Sequence, residues 1–445
     1  MAQIPDQPGP RVSSRTALVL TLSLLTVALL IVVALATPWQ PLPLHGIAAV
    51  AADPSRDFTA AQIARENAYH AAVRPPAYAS LGLGLLVALA LGLTPWGARV
   101  VSAVASPFGG GWGWRVVLGT IALTAIGRLV ALPFDARAEV VLRRYGLSTQ
   151  SWGSWATDVV KSYSLGLIIT LLMVLGVVAL ARRSPQWWWS GGAVLAAVLV
   201  IVVSFAYPVV VEPVFNKFTP LPQGQLRTSL LSMAARDGVP AHDVLVADAS
   251  RRTTSLNAYV SGFGATRRIV VYDTLLEDGT PGEVRLIVAH ELGHAKARDV
   301  VWGTFVGALG VAAAVCLLAL LMRWPWLLRR AGVVGPGDAR ATALLLALVA
   351  VIGFVSGPAQ SLISRRIEAR ADVHSLNLTS DPTTFVSVQR RLATTNLSDL
   401  DPSPLVFGMF STHPTAPQRI AMARTWARLH HVPVPPSTVG ASQGR

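Results

Sequence analysis

Charged residues make up only 13% of this 445-residue chain, against 52% hydrophobic ones. Soluble domains carry roughly 25% charged residues, so a chain this poor in charge needs a bilayer as part of its solvent. Cysteine is almost absent. Cys316 stands alone in an apolar run, which excludes both a disulfide framework and a thiolate zinc site. Lysine occurs only at Lys161, Lys217 and Lys296, so the formal charge of +14 is carried almost wholly by arginine. Those arginines are spread over loops and tails between apolar runs. That spread suits the flanking of membrane spans and supplies no continuous basic surface, so no nucleic-acid partner is expected.

What the chain has in abundance is long apolar runs. A helical span needs about 20 mainly apolar residues, and seven runs qualify: 17–36, 77–96, 116–134, 162–181, 188–211, 301–324 and 342–360. The first exceeds the ~7–15 residue core of a secretory signal and reads as a retained span. Charge on the short loops is balanced between the two sides, so it does not set the orientation. Arg128 lies inside the third run; at that depth an arginine faces a water-filled interior or snorkels from a helix end.

This pattern divides the chain into a tail (1–16), spans one to five (17–211), a polar insert (212–300), spans six and seven (301–360), a second polar segment (361–430) and a Pro- and Ser-rich tail (431–445). The last tail has the composition of a disordered segment. In the insert, 225–237 has helical periodicity ended by Gly238 and Pro240. Three short strands follow, in HDVLVADAS, SLNAYVSGFG and TRRIVVYDTLL. The expected fold is therefore mainly α, a multi-pass membrane protein with a small β-sheet in its polar part.

Two of the nine histidines fall in one turn of VAHELGHAKARDV, residues 288–300. Its helix should start at Thr280 as N-cap, with Pro281 in the first turn and Glu283 completing a capping box. Residues four apart share a helix face, so His290 and His294 can hold one metal ion. Glu291, rotated about 100° around the axis, stands beside that ion, where a general base for a bound water belongs. A catalytic zinc needs a third protein ligand and an open position. Glu368 is the candidate, in SRRIEARADVHSL. Asp372 lies four residues on, so one carboxylate can bind metal while the other orients a ligand histidine. The flanking Arg365, Arg366 and Arg370 allow a plainer reading, a salt-bridged helix end. His374 points elsewhere and reads as structural or exposed.

HExxH with a distant ExxxD resembles the gluzincin metallopeptidases. Five further stretches narrow the likeness: LPFDARAEVVLRRYGLSTQSWGSWATDVVKS, EPVFNKFTPLPQGQLR, NAYVSGFG, RRIVVYDTLL and FSTHPTAPQRI. In this order they resemble the integral-membrane CaaX prenyl protease 1 family; the bacterial HtpX-like proteases are more distant relatives. The resemblance implies seven spans forming a barrel around a chamber, with a zinc endopeptidase site on the cytoplasmic side of the cell membrane. It implies one Zn²⁺ held by His290, His294 and Glu368, with Glu291 as base and Asp372 supporting a ligand. Asn257 and His413 would stabilise the oxyanion, and Arg419 would pair with the site's carboxylates. The NAYVSGFG strand would take an extended peptide along its edge.

The expected partners are the lipid bilayer and a peptide or membrane-protein substrate. An HtpX-like quality-control protease is the alternative within this chemistry, and a non-enzymatic channel or transporter is the alternative outside it. Against the channel, the titratable cluster sits at span ends and no paired, broken helices occur.

Overall fold

The structure is a computed structural model and describes residues 13–439 except Phe263. In chain order the membrane part begins with α1 (Ser14–Ala36), α2 (Ala60–Gly92), α3 (Pro95–Ala105), α4 (Trp112–Arg144), α5 (Trp152–Arg183) and α6 (Trp188–Ala206). A π-helical turn, Tyr207–Val211, leads into the short α7 (Glu212–Phe215). The polar lobe follows: β1 (Phe218–Pro220), α8 (Gln225–Arg236), β2 (Asp243–Ala247), β3 (Ala258–Ser261), β4 (Arg268–Tyr272), α9 (Asp273–Asp278) and α10 (Pro281–Lys296). The chain re-enters the membrane part as α11 (Asp299–Leu321), α12 (Pro325–Ala331) and α13 (Thr342–Thr379), then closes the lobe with α14 (Pro382–Thr395), α15 (Pro404–Phe410) and α16 (Ala416–Leu429).

Seven helices among the described residues are long and apolar enough to cross a membrane, and each coincides with one of the seven apolar runs. They close on themselves: α13 packs on α2, α2 on α4, α4 on α5, α5 on α6, α6 on α11, and α11 returns to α13, with α1 against α11. Only 6% of the apolar window of α2 and 22% of that of α4 are buried. The low shares leave room for lipid-facing surface, and the closed order of packing makes the helices a ring. Arg128 lies in this ring, where Nη1 pairs with Asp135 Oδ2 at 2.5 Å. Together with Asp158 and Tyr163 it lines a cavity of about 400 Å³. It faces this cavity rather than snorkelling from a helix end.

Two apolar cores result. One lies among the spans, around Val116, Val178, Cys316 and Leu344. The other lies in the lobe, around Leu230, Met233, Ile269, Leu292, Phe385 and Trp426. The lobe's sheet has the order β1-β2-β4-β3, with β2 and β4 parallel and the outer pairs antiparallel, so β3 is an edge. The strand β1 went unrecognised in the sequence; it spans three residues and ends in Pro220, which only an edge strand accommodates readily.

The helices also run beyond the apolar runs that announced them. α2 starts at Ala60, well before residue 77, and α13 continues past residue 360 to Thr379. Both extensions are polar and belong to the lobe. The Pro- and Ser-rich tail is ordered as far as Val439, contrary to the disorder its composition suggests; residues 440–445 lie outside the described residues. Buried Arg424 explains this. Its guanidinium pairs with Asp57 at 2.5 and 2.7 Å and donates to the carbonyls of Pro435 and Pro436 at 3.0 and 2.9 Å.

Candidate active site

Helix α10 begins as its sequence dictates. The Thr280 hydroxyl accepts from the Glu283 amide, and the Glu283 carboxylate accepts from the Thr280 amide at 2.9 Å. The helix is buried along most of its length, which fixes the rotation that His290 and His294 present. Gly293 lies where a Cβ would come within 3.0 Å of His374, so the helix can lie close against α13 only with glycine there. His374 Nε2 donates to Asp237 Oδ2 at 2.9 Å, a structural contact.

Helix α13 brings Glu368 and Asp372 to the same place. The Nε2 atoms of His290 and His294 are 3.2 Å apart. Glu368 Oε2 lies 3.2 Å from His290 Nε2, and Glu368 Oε1 lies 3.7 Å from His294 Nε2. Three ligands at ~2.0–2.2 Å from a tetrahedral zinc stand about 3.3–3.6 Å from one another. The two Nε2 atoms and the Glu368 carboxylate stand within a few tenths of an ångström of that spacing, one carboxylate oxygen toward each histidine. The tautomers agree as well: His290 Nδ1 lies 2.9 Å from Asp372 Oδ1 and His294 Nδ1 lies 2.9 Å from Asp299 Oδ2. With a carboxylate to take each Nδ1 proton, both rings are set to offer Nε2 to a metal.

The electrostatics point the same way. Burial disfavours a charged His290, yet hydrogen bonds to Asp372 and Glu368 carry its pKa up to about 10. The pocket is built to hold positive charge, and without a metal a proton is what satisfies it. Burial raises the pKa of Glu291, and Glu368 adds to the rise, while His290 and His294 pull it down. A carboxyl with a raised pKa is a better proton acceptor than an ordinary one.

Arg419, on α16, donates from Nε to Asp372 Oδ2 at 2.8 Å, and its second contact to Asp372 makes the pair bidentate. His413 lies in the loop before α16, with Nε2 3.3 Å from Glu368 Oε2 and Nδ1 3.0 Å from Thr412 Oγ1. Asn257 precedes β3 and caps its own strand, Oδ1 accepting from the Ala258 amide at 2.9 Å; its side chain is exposed to the same cleft. The structure thus brings all eight expected residues around one cleft of about 820 Å³.

Sequence reasoning missed Asp299 and Arg370. Asp299 is five residues past His294, beyond the helix end, where periodicity predicts no shared face. It returns over the imidazole because Arg298 takes a left-handed conformation, φ 57°. Arg370, which had only a solvated reading, pairs with Asp299. Each histidine is thus backed by a carboxylate and each carboxylate by an arginine. Arg365 was missed too. It donates to the carbonyls of Phe407 and Ser411 at 2.9 and 2.5 Å, and so ties the His413 loop to α13.

A second grouping, Glu66, His70 and Asp399, also has its donor atoms within 4.8 Å. Its members are already engaged: Asp399 pairs with Arg74, His70 Nε2 meets the Leu397 carbonyl at 2.9 Å, and Glu66 accepts from the Leu400 amide at 2.6 Å. It reads as the clasp between α2 and the segment after α14.

A ring of spans carrying a His, His, Glu triangle on its polar lobe defines an integral-membrane metallopeptidase, and comparison with known proteins agrees. The model of peptidase family M48 matches residues 220–427, and that of the CAAX prenyl protease N-terminal region, five membrane helices, matches residues 60–217. An uncharacterized metalloprotease, YhfN, of Bacillus subtilis is 34% identical over 303 residues, 68% of this chain and 71% of the relative. CAAX prenyl protease 1 of Saccharomyces cerevisiae is 28% identical, covering 67% of this chain and 69% of its own. The crystal structure of S. mikatae Ste24p shares the fold with a TM-score of 0.71 at 21% identity, covering 94% of this chain and all of that one. The chain belongs to peptidase family M48 and is a multi-pass membrane metallopeptidase of the CaaX-protease type.

Proposed function

We propose that this chain is a zinc-dependent endopeptidase whose metal is held by His290, His294 and Glu368. The single observation that carries this reading is the convergence of His290 Nε2, His294 Nε2 and the Glu368 carboxylate, with the two nitrogens 3.2 Å apart, one Glu368 oxygen 3.2 Å from His290 and the other 3.7 Å from His294, and with both Nδ1 atoms facing carboxylates. Bound there, zinc would polarise the peptide carbonyl and acidify a water.

The rest of the work falls to the chain itself. Glu291, beside the triangle and raised in pKa by burial, takes the proton from the attacking water and delivers it to the leaving amine. Asn257 and His413, which border the same cleft, donate to the carbonyl oxygen as negative charge develops there. Asp372, held by Arg419, keeps His290 in the ligand tautomer. The edge strand β3 offers its free side to an extended peptide, whose backbone bonds give affinity with little sequence preference.

Peptides and membrane-protein segments are the substrates this arrangement suits, since α10 passes directly into the spanning helix α11. We assign the protein to the cell membrane with the lobe on the cytoplasmic side, the placement its family resemblance implies. The decisive experiment compares purified parent and Glu291→Gln for zinc content and for cleavage of a fluorogenic peptide. The variant should hold about one zinc per chain and lose cleavage by at least ~100-fold. Equal cleavage by the two would overturn the reading, and protease protection of a C-terminal tag tests the side.

A further inference from the structure

The wall of the cleft away from β3 is apolar: Leu286 and Ile287 of α10 face Phe385, Val388, Leu392 and Ala393 of α14. One polar side chain interrupts it. Gln389 is 3% exposed, lines the cleft, and lies on the helix face shared by Phe385 and Ala393, one turn to either side. Among the described residues no hydrogen bond reaches its carboxamide. Asn396, two turns on, shows what a satisfied amide on this helix looks like: it accepts from the Leu256 amide at 3.1 Å and donates to the Leu256 carbonyl at 3.4 Å. Asp399, further along, is taken by Arg74.

We propose that Gln389 selects substrates at this subsite, favouring an uncharged side chain that carries a hydrogen-bonding group on an apolar stem: Gln, Asn, Thr or Tyr. The assignment rests on the endopeptidase reading above. A buried polar group is nearly always partnered in a native protein, and a carboxamide both donates and accepts. In the empty cleft water can serve it. A hydrocarbon side chain filling the subsite expels that water and strands the amide, whereas a hydroxyl or amide replaces it. The apolar surroundings, with no free charge on this wall, disfavour Lys, Arg, Asp and Glu at the same position. Sites built to bond a polar group discriminate strongly against the analogue that lacks it.

The test uses the full-length, zinc-loaded protein in detergent and a set of fluorogenic peptides. The residue on each side of the cut is varied in turn, and the cut is located by mass spectrometry. At one of these positions the parent should cleave the Gln, Asn, Thr or Tyr peptides with a kcat/KM at least ~10-fold above the Leu and Met peptides. Gln389→Leu and Gln389→Met should invert that order by a similar factor at unchanged zinc content. Two variants guard against a failure of either one to fold. An active variant with the parent's profile, or one slowed equally on every peptide, overturns the assignment and leaves the endopeptidase reading standing. A zinc-loaded parent that cleaves none of the peptides overturns both.

Discussion

His294 Nδ1 lies 2.9 Å from the carboxylate of Asp299, and Asp299 is the first residue of the spanning helix α11. A proposed metal ligand is therefore oriented by the head of a membrane helix. Arg370, on the extension of the seventh span, holds the other oxygen of that carboxylate.

From this geometry Asp299→Ala should weaken zinc binding by about 10–100-fold, the usual effect of removing a ligand's supporting carboxylate. Competition with a chromogenic chelator measures it. An affinity within about twofold of the parent would show that Asp299 has no such role.

Removal of the third ligand gives a different signature. Glu368→Ala should lose zinc nearly completely, because two histidines cannot close the site. Metal analysis after gel filtration reads this directly. Full occupancy in the variant would mean that another residue is the ligand.

Arg365 acts at one remove. It holds the Phe407 and Ser411 carbonyls and stacks on the Phe407 ring at 4.4 Å, so it fixes the loop that presents His413. Arg365→Ala should reduce kcat by roughly tenfold, part of what loss of an oxyanion donor costs, with KM and zinc content near the parent values. In a His413→Ala background the same change should add little. A full, additive effect there would separate Arg365 from His413.

The cap of α10 carries a pH dependence. Burial alone would raise the pKa of Glu283, but the Thr280 amide and the Arg391 guanidinium hold it below its ordinary value of 4.5. The folded state then binds this proton less tightly than the unfolded state. The stabilisation is complete above pH 4.5 and is lost as pH falls below it. Glu283→Gln keeps an acceptor for the Thr280 amide but loses the charge facing Arg391, so it should melt slightly earlier than the parent at pH 7, by up to about 1 kcal/mol. The two melting curves should converge as pH falls below 4.5. A gap that widens on acidification would reverse the sign argued here.

The membrane part was legible because hydropathy is additive along a run: all seven spans stand where apolar residues accumulate. The start of α2 was not, since Arg65, Glu66 and Asn67 carry the helix out of the bilayer and into the lobe, where tertiary contacts replace hydropathy. In the site, His290 and His294 declared themselves by helical spacing and Glu368 with Asp372 by the same rule. Asp299 escaped because a single left-handed residue, Arg298, breaks the period. Gln389 escaped because nothing in a sequence distinguishes a polar residue turned to solvent from one turned into a cleft.

The buried pair of Asp57 and Arg424 joins residues 367 positions apart. Asp57 lies in the loop after the first span, and Arg424 lies on the last helix. During synthesis, one half of this pair is made early and must wait for nearly the whole chain. The lobe's core, which includes Phe58 and Trp426, stays open until then. The lobe is thus closed by its two most distant parts, and its core is complete only once they meet.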